Sequence, residues 1–152
     1  MTKRMLDTAK DKDACSGWCV VWKNERTGAC VLKSKVKSQE DKDNVEAAIL
    51  YAQAKGCVVR LQRACNTGKS ADATVCGKRL EIKTIRTATK SAVDNALRKA
   101  ASGQAQDVLV NLKVFIAQGE LKEAIYNRVR RKNHLQTVTI ITYKDEVTTY
   151  KR

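Results

Sequence analysis

The 152-residue chain contains no proline, a single phenylalanine and a single histidine. Because proline is the residue that most strongly breaks helices and central strands, its absence means that no element interior needs to be interrupted. No apolar run approaches the length of a membrane-spanning helix. Residues 1–7 lack the apolar segment of a secretion signal, so we expect a protein that acts in the cytoplasm or is delivered there.

Acidic residues are also scarce, because 16 Asp and Glu face 30 Lys and Arg, which gives a formal charge of +14 and a pI near 9.7. This excess predicts an anionic partner: nucleic acid, an anionic membrane surface or an acidic protein. The length and the 43% hydrophobic content suffice for a folded domain with a sizeable core.

All six cysteines lie in the first half of the chain. Their irregular spacing and the missing export signal argue against a disulfide framework. Structural zinc is disfavoured because Cys15 and Cys19 are the only close pair and His134 is remote in sequence. We interpret the cysteines as reduced thiols, with Cys19, Cys57 and Cys76 packed as small hydrophobic groups.

The hydrophobic pattern predicts three helices that pack on one sheet. The expected helices cover 44–56, 90–101 and 120–132. The expected strands and hairpins cover 18–22, 29–32, 57–61, 72–83, 107–112 and 137–150. The predicted fold class is therefore α/β, in the α+β sense, with a single mixed or mainly antiparallel sheet and three helices.

The most informative constellation is Asp72 together with the triplet Glu81-Ile82-Lys83. A tight turn at 76–78 separates two short strand-like runs, and on the second run Glu81 and Lys83 share one face because strand side chains alternate. Two carboxylates and an ammonium group would then gather at one end of a hairpin. In a basic chain, this pattern favours an enzyme that cuts a polyanion, whereas a solvated hairpin face is the alternative interpretation.

This motif resembles that of the PD-(D/E)xK nucleases, in which Asp72 would be the first acid and Glu81-Ile82-Lys83 the E-x-K element. Glu46, on the preceding helix, matches the extra acid of many members, while Ala71 departs from the usual proline. The resemblance implies that Asp72 and Glu81 hold Mg²⁺ if the reaction is metal-dependent, and that the lysine orients or deprotonates a water.

A longer stretch, from Asn44 to Arg152, resembles the C-terminal tRNase toxin domains of contact-dependent growth inhibition and related polymorphic toxins. The shared residues are Gly68-Lys69-Ser70-Ala71-Asp72, Gly77-Lys78, Glu81-Ile82-Lys83-Thr84 and the strand 107–112. The resemblance implies a tRNA substrate, action in the cytoplasm of a target bacterial cell and an acidic cognate immunity protein. It also implies that a host translation factor is a candidate partner and that no membrane partner is expected. Two segments follow from it: residues 1–43, which hold a leader, a small hairpin and a charged connector, and a nuclease domain at 44–152.

Several such toxins have the barnase–EndoU–colicin–RelE type of fold, which cuts RNA without a metal or other cofactor. In that case Lys83, Thr84 and Arg86, with Thr139 or Thr142 of the last hairpin, would be the general acid–base and phosphate-binding groups. A nucleotide 2′-hydroxyl would attack its own phosphate.

The remaining candidates are mainly basic residues, which we expect to bind phosphates and to make binding salt-dependent. They are Lys69, Lys78, Arg79, Lys90, Arg98, Arg128, Arg130 and Arg131. His134 is a weaker acid–base candidate because it follows a helix end in a loop-like stretch. Three alternatives stay open: a metal-dependent DNase, a non-catalytic nucleic-acid-binding module, and a domain that recognises an acidic protein.

Overall fold

The computed structural model describes residues 18–34, 42–61, 72–103, 105–131 and 134–152. These residues form strands β1 (Trp18–Lys23), β2 (Cys30–Ser34), β3 (Val58–Leu61), β4 (Ala73–Val75), β5 (Lys78–Ile85), β6 (Asp107–Leu112), β7 (Thr137–Ile141) and β8 (Val147–Lys151), and helices α1 (Lys42–Lys55), α2 (Lys90–Ser102) and α3 (Gln118–Val129). The chain divides into two compact units, Met1–Gly77 and Lys78–Arg152.

In the first unit, strands β1 to β4 are hydrogen-bonded in chain order. The β1–β2 and β3–β4 pairs are antiparallel, and β1 carries a bulge between Val20 and Trp22. The β2–β3 pair is parallel and is connected through α1, which packs on both strands. The buried residues of α1 are all alanines, Ala47, Ala48 and Ala52, so their small side chains let the helix lie close to the strands.

In the second unit, β5, β6 and β7 are parallel and are linked through α2 and α3, while β8 returns antiparallel to β7. Parallel neighbours need such a crossover, and a helix is the usual one. Thr89 caps the start of helix α2, since its hydroxyl accepts a hydrogen bond from the Ala92 amide at 3.1 Å. This bond satisfies one of the amide donors that the first helical turn leaves unpaired.

One face of the β5–β7 sheet, which we call the helix face, packs against α2 and α3. Alternate residues of each strand supply it, including Val108 and Val110 of β6 and Ile140 of β7, which join Leu97 and Leu121 of the helices in one core. The residues between them, such as Leu109 and Asn111, point to the opposite face because side chains alternate along a strand. Both faces are buried along β6.

The predicted fold class is confirmed: within the described residues, three helices accompany a mixed set of parallel and antiparallel strands. Three predicted helix boundaries were wrong by two or three residues, since α1 begins at Lys42 and α3 covers Gln118–Val129. Residues 1–17 and 35–41 of the predicted leader and connector lie outside the described residues, as does the stretch 62–71. The domain boundary between residues 43 and 44 stays a prediction. In the part of the chain that the structure describes, no helix has the length and apolarity needed to cross a bilayer.

The cysteines differ in their surroundings. Cys30 is fully buried, Cys19 is half-buried, and burial raises the pKa of the half-buried Cys57 thiol to about 11. Cys76 was wrongly predicted to be packed, because it lies exposed in the β4–β5 turn with φ of 53°. Cys15 lies outside the described residues.

Two glycines with different backbone conformations should respond with opposite signs to substitution by alanine. Gly56 ends α1 with φ of 65°, whereas Gly119 lies within α3, and an added Cβ meets nothing within 4 Å at either position. Gly56→Ala should destabilise by about 1 kcal/mol because L-residues avoid the left-handed region. Gly119→Ala should stabilise by roughly 0.5–1 kcal/mol because alanine is the better helix former. Urea unfolding measures both, and a shared sign would contradict the backbone explanation.

Candidate functional site

Glu81 and Lys83 lie two residues apart on β5, in register with Val108 and Val110 of β6. Both are half-buried and point to the helix face, since they alternate in phase with Ile85 of the core. The rise of a strand separates their Cα atoms by roughly 6.5 Å. The sequence prediction that an acid and a lysine share one strand face is therefore confirmed.

The carboxylate of Glu81 is held close to a cation. Its Oε2 atom lies 3.7 Å from a guanidinium nitrogen of Arg79, and the side chain of Glu81 is 18% exposed, against 47% for Arg79. An ion pair of this length that reaches solvent contributes little to stability.

Thr84 points to the face opposite Glu81 and Lys83. It is in register with Asn111 of β6, so the two polar side chains are neighbours on that face. Within the described residues, neither the buried Thr84 hydroxyl nor the Nδ2 atom of Asn111 has a hydrogen-bond partner, and Asn111 is only 2% exposed. The structure thus separates Thr84 from the acid–lysine pair.

Asp72 and Glu46 belong to the first unit. Asp72 immediately precedes β4 and is half-buried, while Glu46 is a half-buried residue of α1. Their assignment to one centre with Glu81 stays a prediction.

The other candidates for acid–base chemistry are distributed over the second unit. Arg86 follows β5 and is exposed. Thr139 is buried on the face opposite the helices, and its hydroxyl oxygen lies 2.9 Å from that of Thr149. The Thr142 hydroxyl accepts hydrogen bonds from two amides of the β7–β8 turn, which makes it a turn-forming group. His134 is exposed.

Several of the predicted phosphate-binding residues surround a groove between α2 and α3. Its cavity of about 330 Å³ is lined by Lys90, Ser91, Asp94, Ala124, Asn127, Arg128 and Arg131. Lys90 is paired with Glu123 at 3.1 Å across the two helices. Arg131, at the end of α3, is exposed.

Arg128 has a structural partner that the sequence did not indicate. Its guanidinium donates two hydrogen bonds to the carboxylate of Asp94, at 2.7 and 3.1 Å, and so joins α3 to α2. The hydrogen bond from Arg128 holds the pKa of Asp94 below its ordinary value, and the same bond raises the pKa of Arg128. The Arg128 side chain is only 14% exposed, so its paired guanidinium is less available to a phosphate than that of an exposed arginine.

Other basic candidates are more accessible. Lys78, Arg79, Arg98 and Arg130 are exposed. The guanidinium carbon of Arg130 lies 5.2 Å from the ring centroid of Tyr126, and Arg98 donates a hydrogen bond to Asn95 at 3.0 Å. Lys69 lies outside the described residues.

A magnesium site is compatible with the chemistry of the predicted donors. Asp72 and Glu81 supply carboxylate oxygens, which Mg²⁺ prefers, and this ion is commonly held by one or two carboxylates and several waters. Among the described residues, no group of three or more His, Cys, Asp or Glu side chains is arranged to hold a metal ion. Metal dependence stays a prediction.

These features define a small α+β domain with a half-buried acid–lysine pair and a strongly basic composition. The model of the contact-dependent growth inhibition CdiA C-terminal domain matches residues 69–147, which is more than half of the chain. The chain therefore belongs to this family of toxin domains.

A solved structure has the same fold. The protein in a CdiA-CT/CdiI toxin and immunity complex from Burkholderia pseudomallei is 20% identical, with a TM-score of 0.54; the match covers 78% of this chain and 95% of the other. At this identity, the similarity establishes the fold alone. No curated protein matches the chain.

We expect the Asp94–Arg128 pair to contribute to stability and to do so in a pH-dependent way. Asp94→Asn should destabilise the protein by about 1 kcal/mol at pH 7, since it removes a partly exposed charge-assisted bidentate contact. Because the folded-state pKa of Asp94 is lowered from 3.8, its contribution is complete above that value and is lost as the pH falls through the lower folded-state pKa.

Urea unfolding of wild type and Asp94→Asn between pH 7 and pH 2 measures this effect. Glu25→Gln is the matched control, because it makes the same acid-to-amide change at a carboxylate whose side chain is 87% exposed. Equal stability of Asp94→Asn and wild type at pH 7 would contradict the structural role.

Proposed function

We propose that the domain is a nuclease toxin that cleaves tRNA, with Glu81 and Lys83 as its catalytic pair. The observation that carries the proposal is the pair itself, a half-buried carboxylate and a half-buried ammonium on one face of β5. Its support comes from the family match, which spans this strand, and from the formal charge of +14, which suits a polyanionic substrate.

Each member of the pair has a chemical task in phosphodiester cleavage. The carboxylate of Glu81 removes the proton from the attacking hydroxyl, whose oxygen forms the new bond to phosphorus as the bond to the leaving oxygen breaks. The leaving oxygen takes a proton from water. The ammonium of Lys83 stabilises the negative charge that builds up on the phosphate oxygens, and partial burial strengthens that interaction.

Asp72 and Glu46 are proposed as supporting acids, and Arg86 as a phosphate contact. If the reaction uses Mg²⁺, Asp72 and Glu81 would hold it, and the ion would supply charge stabilisation at the phosphate. Comparing the cleavage rate in Mg²⁺ with the rate in a chelator decides whether the reaction depends on a metal.

The proposed partners follow from charge and from the family. The structural relative was solved as a toxin and immunity complex, and we propose that this domain also has a cognate immunity protein. An acidic protein would complement its basic surface and would compete with RNA. The proposed site of action is the cytoplasm of a target bacterial cell.

Cleavage of total tRNA by the purified protein, with Mg²⁺ or with EDTA, tests the catalytic assignment. We expect Glu81→Gln and Lys83→Met each to lower the rate by roughly 10²-fold or more, as the loss of an acid–base or charge-stabilising group does. Glu25→Gln is the matched control, because this residue lies in the β1–β2 turn and its side chain is 87% exposed. A supercoiled plasmid assayed in parallel would reveal a DNase.

Thr84→Val distinguishes a site built on Glu81 and Lys83 from the metal-free ribonuclease site that would include Thr84. The test is possible because Thr84 faces away from the acid–lysine pair. We expect full activity, and stability equal to or above that of wild type, since the buried hydroxyl has no partner among the described residues. Loss of cleavage in Thr84→Val with retention in Glu81→Gln would move the site to the opposite face. No cleavage of either nucleic acid would overturn the enzyme proposal.

RNA affinity should depend steeply on salt. We expect Arg131→Gln to weaken binding uniformly across RNA sequences and to reduce the slope of log K against log salt by about one, as expected for the loss of one phosphate contact. Fluorescence anisotropy between 50 and 300 mM salt (roughly the range in which counterion release is measured) gives the slope. The control is Arg26→Gln, an exposed arginine of the β1–β2 turn, and equal slopes for all three proteins would contradict a phosphate contact at Arg131.

A further inference from the structure

The second unit contains a cavity of about 280 Å³ between the start of α3 and the β7–β8 turn, which we call the aromatic pocket. Its lining consists of Leu112, Val114, Phe115, Ile116, Gln118, Leu121, Ile140, Thr142, Tyr143, Lys144, Glu146, Thr148 and Tyr150. The pocket lies beyond the carboxyl end of β6, which is where open parallel sheets usually bind ligands.

Two aromatic side chains of the pocket are exposed to solvent. Phe115, the single phenylalanine of the chain, is 62% exposed and Tyr143 is 48% exposed. Their rings meet edge to face, with centroids 5.6 Å apart and an interplanar angle of 83°. Because phenylalanine is normally buried, a pair of adjacent exposed rings is more typical of a binding surface than of a core.

The residues around these rings are held in place before any ligand arrives. The Thr142 hydroxyl accepts hydrogen bonds from the amides of Lys144 and Glu146, and the Thr142 amide donates to the Glu146 carbonyl at 2.8 Å. Ile140 and Leu121, which line the pocket, belong to the buried core. A preorganised surface of this kind loses little conformational entropy on binding.

The polar groups of the pocket favour a nucleobase as its occupant. Gln118 and Glu146 can exchange hydrogen bonds with the amino and carbonyl groups on the edge of a base. The Lys144 ammonium lies 5.8 Å from the Tyr143 ring centroid, where it can meet the adjoining phosphate. An anionic side chain from an acidic protein would instead meet the carboxylate of Glu146. The volume lies just below the range of roughly 300–1,000 Å³ that is typical of small-molecule sites, so a single base is an appropriate size.

The pocket and the acid–lysine pair are placed so that one RNA molecule could contact both. Leu112, Ile140 and Tyr150 of the lining belong to the helix face, which is also the face of Glu81 and Lys83. Leu112 is in register with Ile85, two residues beyond Lys83 on β5. The pocket and the lysine therefore lie towards the same end of the parallel strands.

We propose that the aromatic pocket binds one unpaired base of the RNA substrate at Phe115 and Tyr143. Because the two ring planes are nearly perpendicular, the base stacks on the face of one ring and presents its edge to the other. The proposal rests on the proposed function and deepens it, because it makes recognition of the RNA depend on a base as well as on phosphates. Exposed bases in single-stranded loops and ends are the usual targets of such stacking.

Fluorescence anisotropy with an end-labelled single-stranded RNA, and with a set of the same RNAs that each lack one base, tests the proposal. The protein carries Glu81→Gln, EDTA is present, and a gel of the same samples reports any cleavage. We expect at least one abasic RNA to bind about tenfold more weakly than the intact RNA, since stacking of one base has an effect of roughly this size.

Phe115→Ala and Tyr143→Ala should abolish this difference while leaving the affinity for that abasic RNA unchanged. Tyr143→Phe, which keeps the ring, should preserve it. Tyr126→Ala should also preserve it, because Tyr126 is 63% exposed on α3 but does not line the pocket. Thermal melting checks that the variants are folded, which we expect because both substituted rings are exposed.

Each outcome separates this inference from the proposed function. If wild type neither binds nor cleaves RNA, the proposed function fails and the inference with it. If RNA is bound and cleaved but intact and abasic RNAs bind equally well, or the alanine variants keep the difference, only the pocket proposal is overturned.

Discussion

Burial of the helix face against α2 and α3 is the interaction on which the second unit depends. Val108, Val110 and Ile140 have essentially no exposed surface, and each such side chain contributes about 1.5–3 kcal/mol through burial. Because side chains alternate along a strand, burial of this face also fixes the orientation of the intervening residues of β5, β6 and β7, which point to the opposite face. A one-residue slip would exchange Glu81 and Lys83 for Thr84 and its neighbours.

The same constraint gives the site its electrostatic character. Lys83 and Glu81 are half-buried beside an apolar layer, where charges interact more strongly than at the surface. Exposed basic residues such as Lys78 and Arg130 can contact a polyanion, whereas Arg128 is engaged by Asp94. The proposed function assigns chemistry to the few half-buried charges and substrate binding to the exposed ones.

Local patterns made much of the fold predictable, whereas contacts between distant residues were not. The spacing of Leu121, Ala124, Ile125 and Val129 predicted α3, but its start was missed because Ala117 provides no side-chain cap. Alternation placed Glu81 and Lys83 together, yet no local signal reveals which sheet face the helices cover. The bonds from Arg128 to Asp94 span 34 residues. The Phe115–Tyr143 ring contact likewise depends on tertiary structure, so the sequence could suggest Tyr143 as a residue that stacks on RNA but could not pair it with Phe115.

The bulge in β1 has a consequence for the behaviour of the protein in solution. Within the described residues β1 is hydrogen-bonded only to β2, and Val20 and Val21 are 52% and 37% exposed. A regular apolar strand at a sheet edge would invite pairing with a second molecule, and the irregularity between Val20 and Trp22 interrupts that template. Mutual repulsion between highly cationic molecules adds to this protection, but salt screens it within about 8–10 Å at physiological ionic strength. Colloidal stability should therefore decline as the ionic strength rises.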